Sequence, residues 1–389
     1  MGEELFQLFP ELHDEFNHLK PTLDTYVQSD YLYPRTIVKN EEMPVIQDDA
    51  IAMMSSGVFF SAAYNWLLRD TLKLDPKIAF GYSMGECSSM WYSNKIWSAE
   101  ETDNFRNSPI FKSRFAGDLE LLAEHWKVST KEAKARWTSL VILAPKEKVI
   151  NLLGNSPNVY LTFINTDNEV IISGDKKECH AIADQLGAET VTLPFQNIIH
   201  HDFCRAEEKG LIEMHDFELQ DNPGIDFYSS ITGEKIPMDR KLIAQNSTDV
   251  CANPVDFPKM VRKMYEADAG IFIEVGANAT CTRWINSILS DQPHLAIATN
   301  QSGKKDARNI TGMIAQLVSH GVELNLEKFY EKEEVKTQKR SFYKKITPGG
   351  GNVYDHVLND KQKALFKNCL LYTSPSPRDL STSRMPSSA

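Results

Sequence analysis

One short run constrains the fold more than any other: Gly81-Tyr-Ser-Met-Gly85, set between the apolar stretch Lys77–Tyr82 and the helix-like GECSSMWYSNKI. Glycines on either side of a serine let the backbone turn sharply from strand to helix, and such a turn presents the hydroxyl to solvent. The amide of Met84 then falls at the start of the helix, where an N–H can donate to a developing negative charge. Ser83 is therefore a candidate nucleophile. Upstream, residues 46–72 carry apolar side chains through several turns with small residues between them, which predicts a long, largely buried helix. The order helix, strand, tight turn, helix is that of a parallel sheet with crossover helices.

A second unit is predicted over 128–195. It opens with the helical TKEAKARW and the strand Ser139–Ala144. Val159–Ile164 and Glu169–Ser173 follow as strands joined by the turn residues Asn165-Thr-Asp-Asn, and the helix Lys177–Leu186 and strand Glu189–Leu193 complete it. That order suggests a small ferredoxin-like insert. Beyond it, strands at Ile225–Ser230 and Gly270–Glu274 and a helix at Phe257–Ala267 resume the α/β alternation.

Charge and apolar runs exclude several classes. The net charge of −11 over 389 residues argues against a nucleic-acid partner, which needs a basic stripe. No run of eighteen apolar residues is present, and Met1–Asp14 lacks the pattern of a secretory signal. Six cysteines at wide spacings, with no CxxC or CxxH, predict reduced thiols and no structural zinc. A cytoplasmic protein with no membrane partner is the expectation.

A serine nucleophile needs a base. Gln196–Arg205 offers adjacent His200 and His201, just after a predicted strand end, where a serine-then-histidine order places one. The remaining histidines have no comparable context and read as structural.

These motifs resemble a known family. Gly81-Tyr-Ser-Met-Gly-Glu86 is similar to the GHSxGE turn of malonyl-CoA:acyl-carrier-protein transacylases and of acyltransferase domains in polyketide and fatty acid synthases. Phe227–Gly233 resembles that family's FYSSVTG strand, Asn253–Phe257 its NPVxF turn, and Phe272–Gly276 its FxEVG strand. Ser108–Phe111, Phe115–Leu119 with Trp126, and Glu274–Ile285 resemble the acyltransferase subunit of microbial polyunsaturated fatty acid synthases. The likeness runs over about 1–345.

The resemblance implies an α/β fold, a parallel-sheet hydrolase-like core with a small ferredoxin-like α+β subdomain inserted. The core would comprise 1–127 and 196–345, the insert 128–195, and a linker 346–369. The family's first strand and Phe-Pro-Gly-Gln-Gly loop are expected to be missing ahead of Met1. Residues 370–389, rich in Ser, Pro and Arg, are expected to be disordered and to be read-through rather than part of the fold.

The implied activity is transfer of malonyl or another acyl group from CoA to the phosphopantetheine thiol of an acyl carrier protein, alongside other synthase subunits and without a bound cofactor or metal. Ser83 would be the nucleophile, Met84 the oxyanion amide and His200 the base. His200 fits the family's register better than His201, because Cys204 then takes the apolar place four residues on. The family's histidine is held by a backbone carbonyl just before the NPV turn, here at Val250, where the family often has Gln. Arg106, or alternatively Arg114, would pair with a substrate carboxylate, which a guanidinium binds as a fork. Tyr82 would contribute to substrate binding. The alternatives are a serine thioesterase or other hydrolase, for which Asp167 and Asp175 lie in chain order between Ser83 and His200, and an inactive docking subunit.

Overall fold

The helix Ala50–Trp66 is apolar on nearly every side, so it can be stable only in the middle of the molecule. Phe59, Phe60, Ala63 and Tyr64 on it are buried, packed with Leu5 and Phe6 and with Ile310, Met313 and Leu317 of the helix Asp306–Ser319. The helix runs on into one π-helical turn, Leu67–Thr71.

This computed structural model describes residues 4–12, 16, 50–98, 108–194, 196–276, 278–330, 359–361 and 363. Arg106 and the tail 370–389 lie outside them, as does most of the linker 346–369. The chain divides into two units, Met1–Phe329 and Tyr330–Ala389, and the first contains every element considered below. Among the described residues no helix is long and apolar enough to cross a membrane.

The core strands are short and parallel. β1 (Ile78–Ala79) pairs with β6 (Asp226–Phe227), and β8 (Ile271–Glu274) pairs with β9 (Leu295–Ala298). Hydrogen bonding among these four strands thus runs in two pairs, and side chains join them. Phe80 packs against Phe272 and Phe257, with ring centres 6.3 Å and 6.2 Å apart. The sequence predicted a six-residue strand at Ile225–Ser230, but only Asp226 and Phe227 extend. Beyond Tyr228 the chain folds back on itself, with Gly233 donating to the carbonyl of Ser229.

The remaining strands form one sheet in the order β5-β2-β4-β3-β7, comprising β5 (Glu189–Thr192), β2 (Trp137–Leu143), β4 (Glu169–Asp175), β3 (Val159–Thr166) and β7 (Val255–Asp256). With the helices Lys146–Leu153 and Lys176–Leu186, the first four strands make a βαββαβ unit whose own core includes Leu140, Ile142, Val159, Val170, Ile172 and Ile182. Asp175 caps the second helix, accepting from the Lys177 and Glu178 amides. β7 belongs to the NPVDF turn and runs parallel to β3, Phe163 opposite Val255, so the insert is hydrogen-bonded to the core beside that turn.

Candidate active site

Ser83 sits where β1 hands over to a helix, and its φ of 55° is unusual for a residue with a side chain. Such strain costs on the order of 1–3 kcal/mol and persists only where the surroundings impose it. Here they do. The amides of Glu86 and Cys87 both donate to the Ser83 carbonyl, at 2.9 and 3.1 Å, and the chain continues as a π-helical turn, Gly85–Ser89. Met84 opens this turn, its side chain lying over Gly57 of the central helix.

His200 Nε2 lies 2.6 Å from Ser83 Oγ. Its Nδ1 lies 2.7 Å from the Val250 carbonyl, and its backbone N–H donates to the Cys251 carbonyl at 2.7 Å. A carbonyl can only accept, so Nδ1 carries the proton, Nε2 presents a lone pair, and the Ser83 hydroxyl donates to it. Val250 and Cys251 belong to the last turn of the helix Arg240–Ala252, where carbonyls have no partner within the helix. Pro254 follows, so the helix cannot continue to satisfy them. The histidine takes up both, and the negative end of the helix faces its ring, where it favours a positive charge.

The loop bearing His200 is pinned on both sides. Trp137 Nε1 donates to the Asn197 carbonyl at 3.0 Å, the Ile198 amide to Phe115 at 2.8 Å, and Cys204 Sγ to the Ile198 carbonyl at 3.0 Å. His200 itself is 1% exposed with φ 64°. Burial lowers its pKa to about 4, against the opposing hydrogen bonds of Val250 and Asn253.

Glu86 holds the two halves of this pair in register. It is fully buried, accepts from the Ser230 amide with both oxygens (3.0 and 2.9 Å), and accepts from Asn246 Nδ2 at 2.8 Å. Asn246 lies on the same helix, Arg240–Ala252, as Val250, so one carboxyl joins the Ser83 turn to the element that orients His200. Burial pushes this carboxyl up to about 7, against those donors.

Tyr82 is tied into a different network. Its hydroxyl donates to Asn165 Oδ1 at 2.7 Å; Asn165 Nδ2 and Trp284 Nε1 both donate to Glu169 Oε1, at 3.0 and 2.9 Å. The ring stacks on Phe163 of β3, centres 5.1 Å apart. The Tyr82 hydroxyl is therefore engaged with the insert rather than open to a ligand. Among these residues, sequence reasoning missed Asn165, Glu169, Trp284, Asn246 and Phe163; the sequence marks Asn165 only as a turn residue.

The other anticipated residues go elsewhere. His201 accepts from the Phe203 amide through Nδ1 and packs against Tyr160, while its neighbour His200 meets Ser83. Arg114, the alternative carboxylate clamp, is already occupied. Both of its terminal nitrogens fork onto Glu124 at 2.9 Å, and Nε donates to Glu207. Those partners hold its charge in place and raise its pKa further. Nor does either insert aspartate serve a triad. Asp167 pairs with Arg262 and Lys146, and Asp175 with Arg136 and its helix cap. Among the described residues, no cluster of three His, Cys, Asp or Glu is placed to hold a metal ion.

A serine on a strained strand-to-helix turn, facing a histidine oriented by a carbonyl, on an α/β core with a ferredoxin-like insert, defines the acyltransferase class of fold. The chain is homologous to the subunits of a polyunsaturated fatty acid synthase from Thraustochytrium sp. (strain ATCC 26185 / S-3), being 25% identical to one of them over 341 residues. That match covers 82% of this chain and 16% of the relative. Probable polyketide synthase 17 of Dictyostelium discoideum is 22% identical over 344 residues, covering 84% of this chain and 12% of the relative. The chain thus spans only a small part of the curated relatives it matches. No family model matches.

Solved structures agree on the fold. The acyltransferase domain from the second module of the salinomycin polyketide synthase superposes with a TM-score of 0.65 at 17% identity, covering 86% of this chain and 73% of that one. Malonyl-CoA:acyl carrier protein transacylase from Helicobacter pylori gives 0.60 at 18%, covering 81% and 94%.

Proposed function

We propose that this chain is an acyltransferase, moving a malonyl or other acyl group from CoA to the phosphopantetheine thiol of an acyl carrier protein in polyunsaturated fatty acid or polyketide-type synthesis. The observation that carries this reading is the relay from Ser83 Oγ through His200 to the Val250 carbonyl, at 2.6 and 2.7 Å. Homology to synthase subunits supports the setting, as does a structural neighbour that is a transacylase in complex with an acyl carrier protein.

In the reaction Ser83 Oγ forms a bond to the thioester carbonyl carbon while His200 Nε2 takes the hydroxyl proton. The oxyanion rests on the Met84 amide, an arrangement in which a single donor is commonly worth about 10²–10³ in turnover. Collapse breaks the carbon–sulfur bond, and His200 returns its proton to the departing CoA thiolate. The carrier thiol then repeats the sequence on the acyl-serine, giving up its proton to His200, which passes it to Ser83. CoA and the phosphopantetheine arm act as substrates.

The test is intact-protein mass spectrometry after brief mixing with malonyl-, acetyl- and long-chain acyl-CoA, then with a carrier protein. Label that is absent in Ser83→Ala, slowed at least about 10³-fold in His200→Ala and passed on to the carrier is expected. Label released to water with the carrier ignored would make the protein a thioesterase. No label would leave a docking subunit.

A further inference from the structure

The insert's strand β3 carries an irregularity that aims one side chain at the serine–histidine pair. In the β3–β4 ladder Leu161 faces Ile172 but Phe163 faces Ile171, and Ile164 faces Val170 but Thr166 faces Glu169. Thr162 and Asn165 are thus extra residues, each the centre of a β-bulge, and bulges re-aim side chains beside functional sites. Residues directly opposite share a sheet face. Val159, Leu161 and Ile164 lie on the face packed under the insert's helices, with Val170 and Ile172 opposite. Strict alternation from Leu161 would put Phe163 on that face too. The bulge at Thr162 moves it to the face of Ile171, toward the core.

There the ring meets the site directly. Its centre is 4.5 Å from that of the His200 imidazole, edge to face, and 5.1 Å from that of Tyr82, the residue before the nucleophile. Its neighbours in the strand, Thr162, Ile164 and Asn165, are buried, whereas Phe163 itself is only half-buried. Its backbone is held between β4 and β7. The wall is therefore apolar and held by the sheet, and one imidazole ring separates it from the Ser83 hydroxyl.

We propose that Phe163 is a specificity-determining residue, placed by the bulge so that its phenyl ring limits the bulk of the acyl group accepted on Ser83. The assignment rests on the acyl-serine reading above. A ring fixed at this point favours short acyl groups over long or branched ones. Each methylene accommodated or refused in an apolar pocket is worth about 10–200-fold in discrimination.

The full chain is compared as wild type, Phe163→Leu and Phe163→Ala, using acetyl-CoA against octanoyl-CoA. In parallel, ethyl and octyl fluorophosphonates modify the serine without any CoA recognition. The readout is the ratio of long- to short-chain labelling rates at Ser83. Partial misfolding slows both reagents equally and leaves this ratio unmoved. A ratio raised at least about tenfold in Phe163→Ala, and less in Phe163→Leu, is the expected result. A ratio within about twofold of wild type in both variants overturns the proposal. Fluorophosphonate labelling without acyl-CoA labelling would remove the transfer reading, while its chain-length ratio would still judge Phe163.

Discussion

The two glycines around Ser83 look alike in sequence and differ in what the structure asks of them. A methyl group on Gly81 would lie 2.0 Å from the Glu86 amide nitrogen, 2.2 Å from the Gly85 carbonyl carbon and 2.5 Å from Glu86 Cα. All three are backbone atoms, so no side chain can swing aside, and β1 or the nucleophile's turn must move by an ångström or so. On Gly85 the same methyl meets nothing within 4 Å. Overpacking a rigid site costs about 1–3 kcal/mol or more. Displacing Glu86 from Ser230 and Asn246 adds about 1–3 kcal/mol for buried groups left unpaired. Gly81→Ala should thus lose about 4 kcal/mol, or roughly 6 °C in melting temperature for a unit of this size. Gly85→Ala should be neutral or gain up to about 1 kcal/mol, since alanine favours a helical turn. Thermal melts of both variants, with fluorophosphonate labelling of Ser83 at a permissive temperature, give the measurement. Gly81→Ala melting within about 2 °C of wild type with full labelling would refute the reasoning, as would equal damage from Gly85→Ala.

Two further outcomes follow from buried titratable groups. With the His200 pKa lowered to about 4, the base stays neutral well below the usual histidine range. Initial rates of Ser83 acylation between pH 4 and 8 should therefore fall on the acid side near pH 4; a limb at about 6.5 would show a solvated imidazole instead. Glu86 works in the opposite sense. Its folded pKa of about 7 lies above the ordinary 4.5, so its contribution to stability is full below pH 4.5 and is lost as pH rises through 7. That loss amounts to about 3 kcal/mol. Urea unfolding of wild type and Glu86→Gln at pH 5 and pH 8 should show Gln gaining on wild type at the higher pH, and an equal difference at both would count against it.

What the sequence disclosed depended on whether a feature is written locally. The turn at Ser83 was legible because glycine spacing, an apolar run and a helical run coincide within twenty residues. The insert was legible for the same reason: β2 to β5 alternate with amphipathic helices, and turn residues mark each end. Strand ends were less so. β2 begins at Trp137, two residues before the apolar run, because Trp137 and Thr138 pair with Asp175 and Gly174 across the sheet. The bulges at Thr162 and Asn165 leave no mark, since neither is a glycine or proline. They exist only in the register between strands.

The site divides along the same line. Adjacent histidines cannot be separated by propensity, and only the family register favoured His200. In the structure His200, in the left-handed region, turns its ring and its amide to two carbonyls in the last turn of one helix and meets Ser83, while His201 caps the next. Arg114 was a reasonable candidate by residue type, but Glu124 and Glu207 come from 10 and 93 residues away to occupy it. Groups that act through the backbone escape sequence reading in a deeper way. The Val250 carbonyl would be present whatever residue stood there; what matters is that a helix stops at that point, and Pro254 ensures it. Val250→Ala should therefore leave the relay intact, whereas moving the proline would let the helix run on, so that the amide at 254 takes the Val250 carbonyl away from His200. In this fold the orientation of the His200 ring is encoded by a helix stop rather than by a side chain.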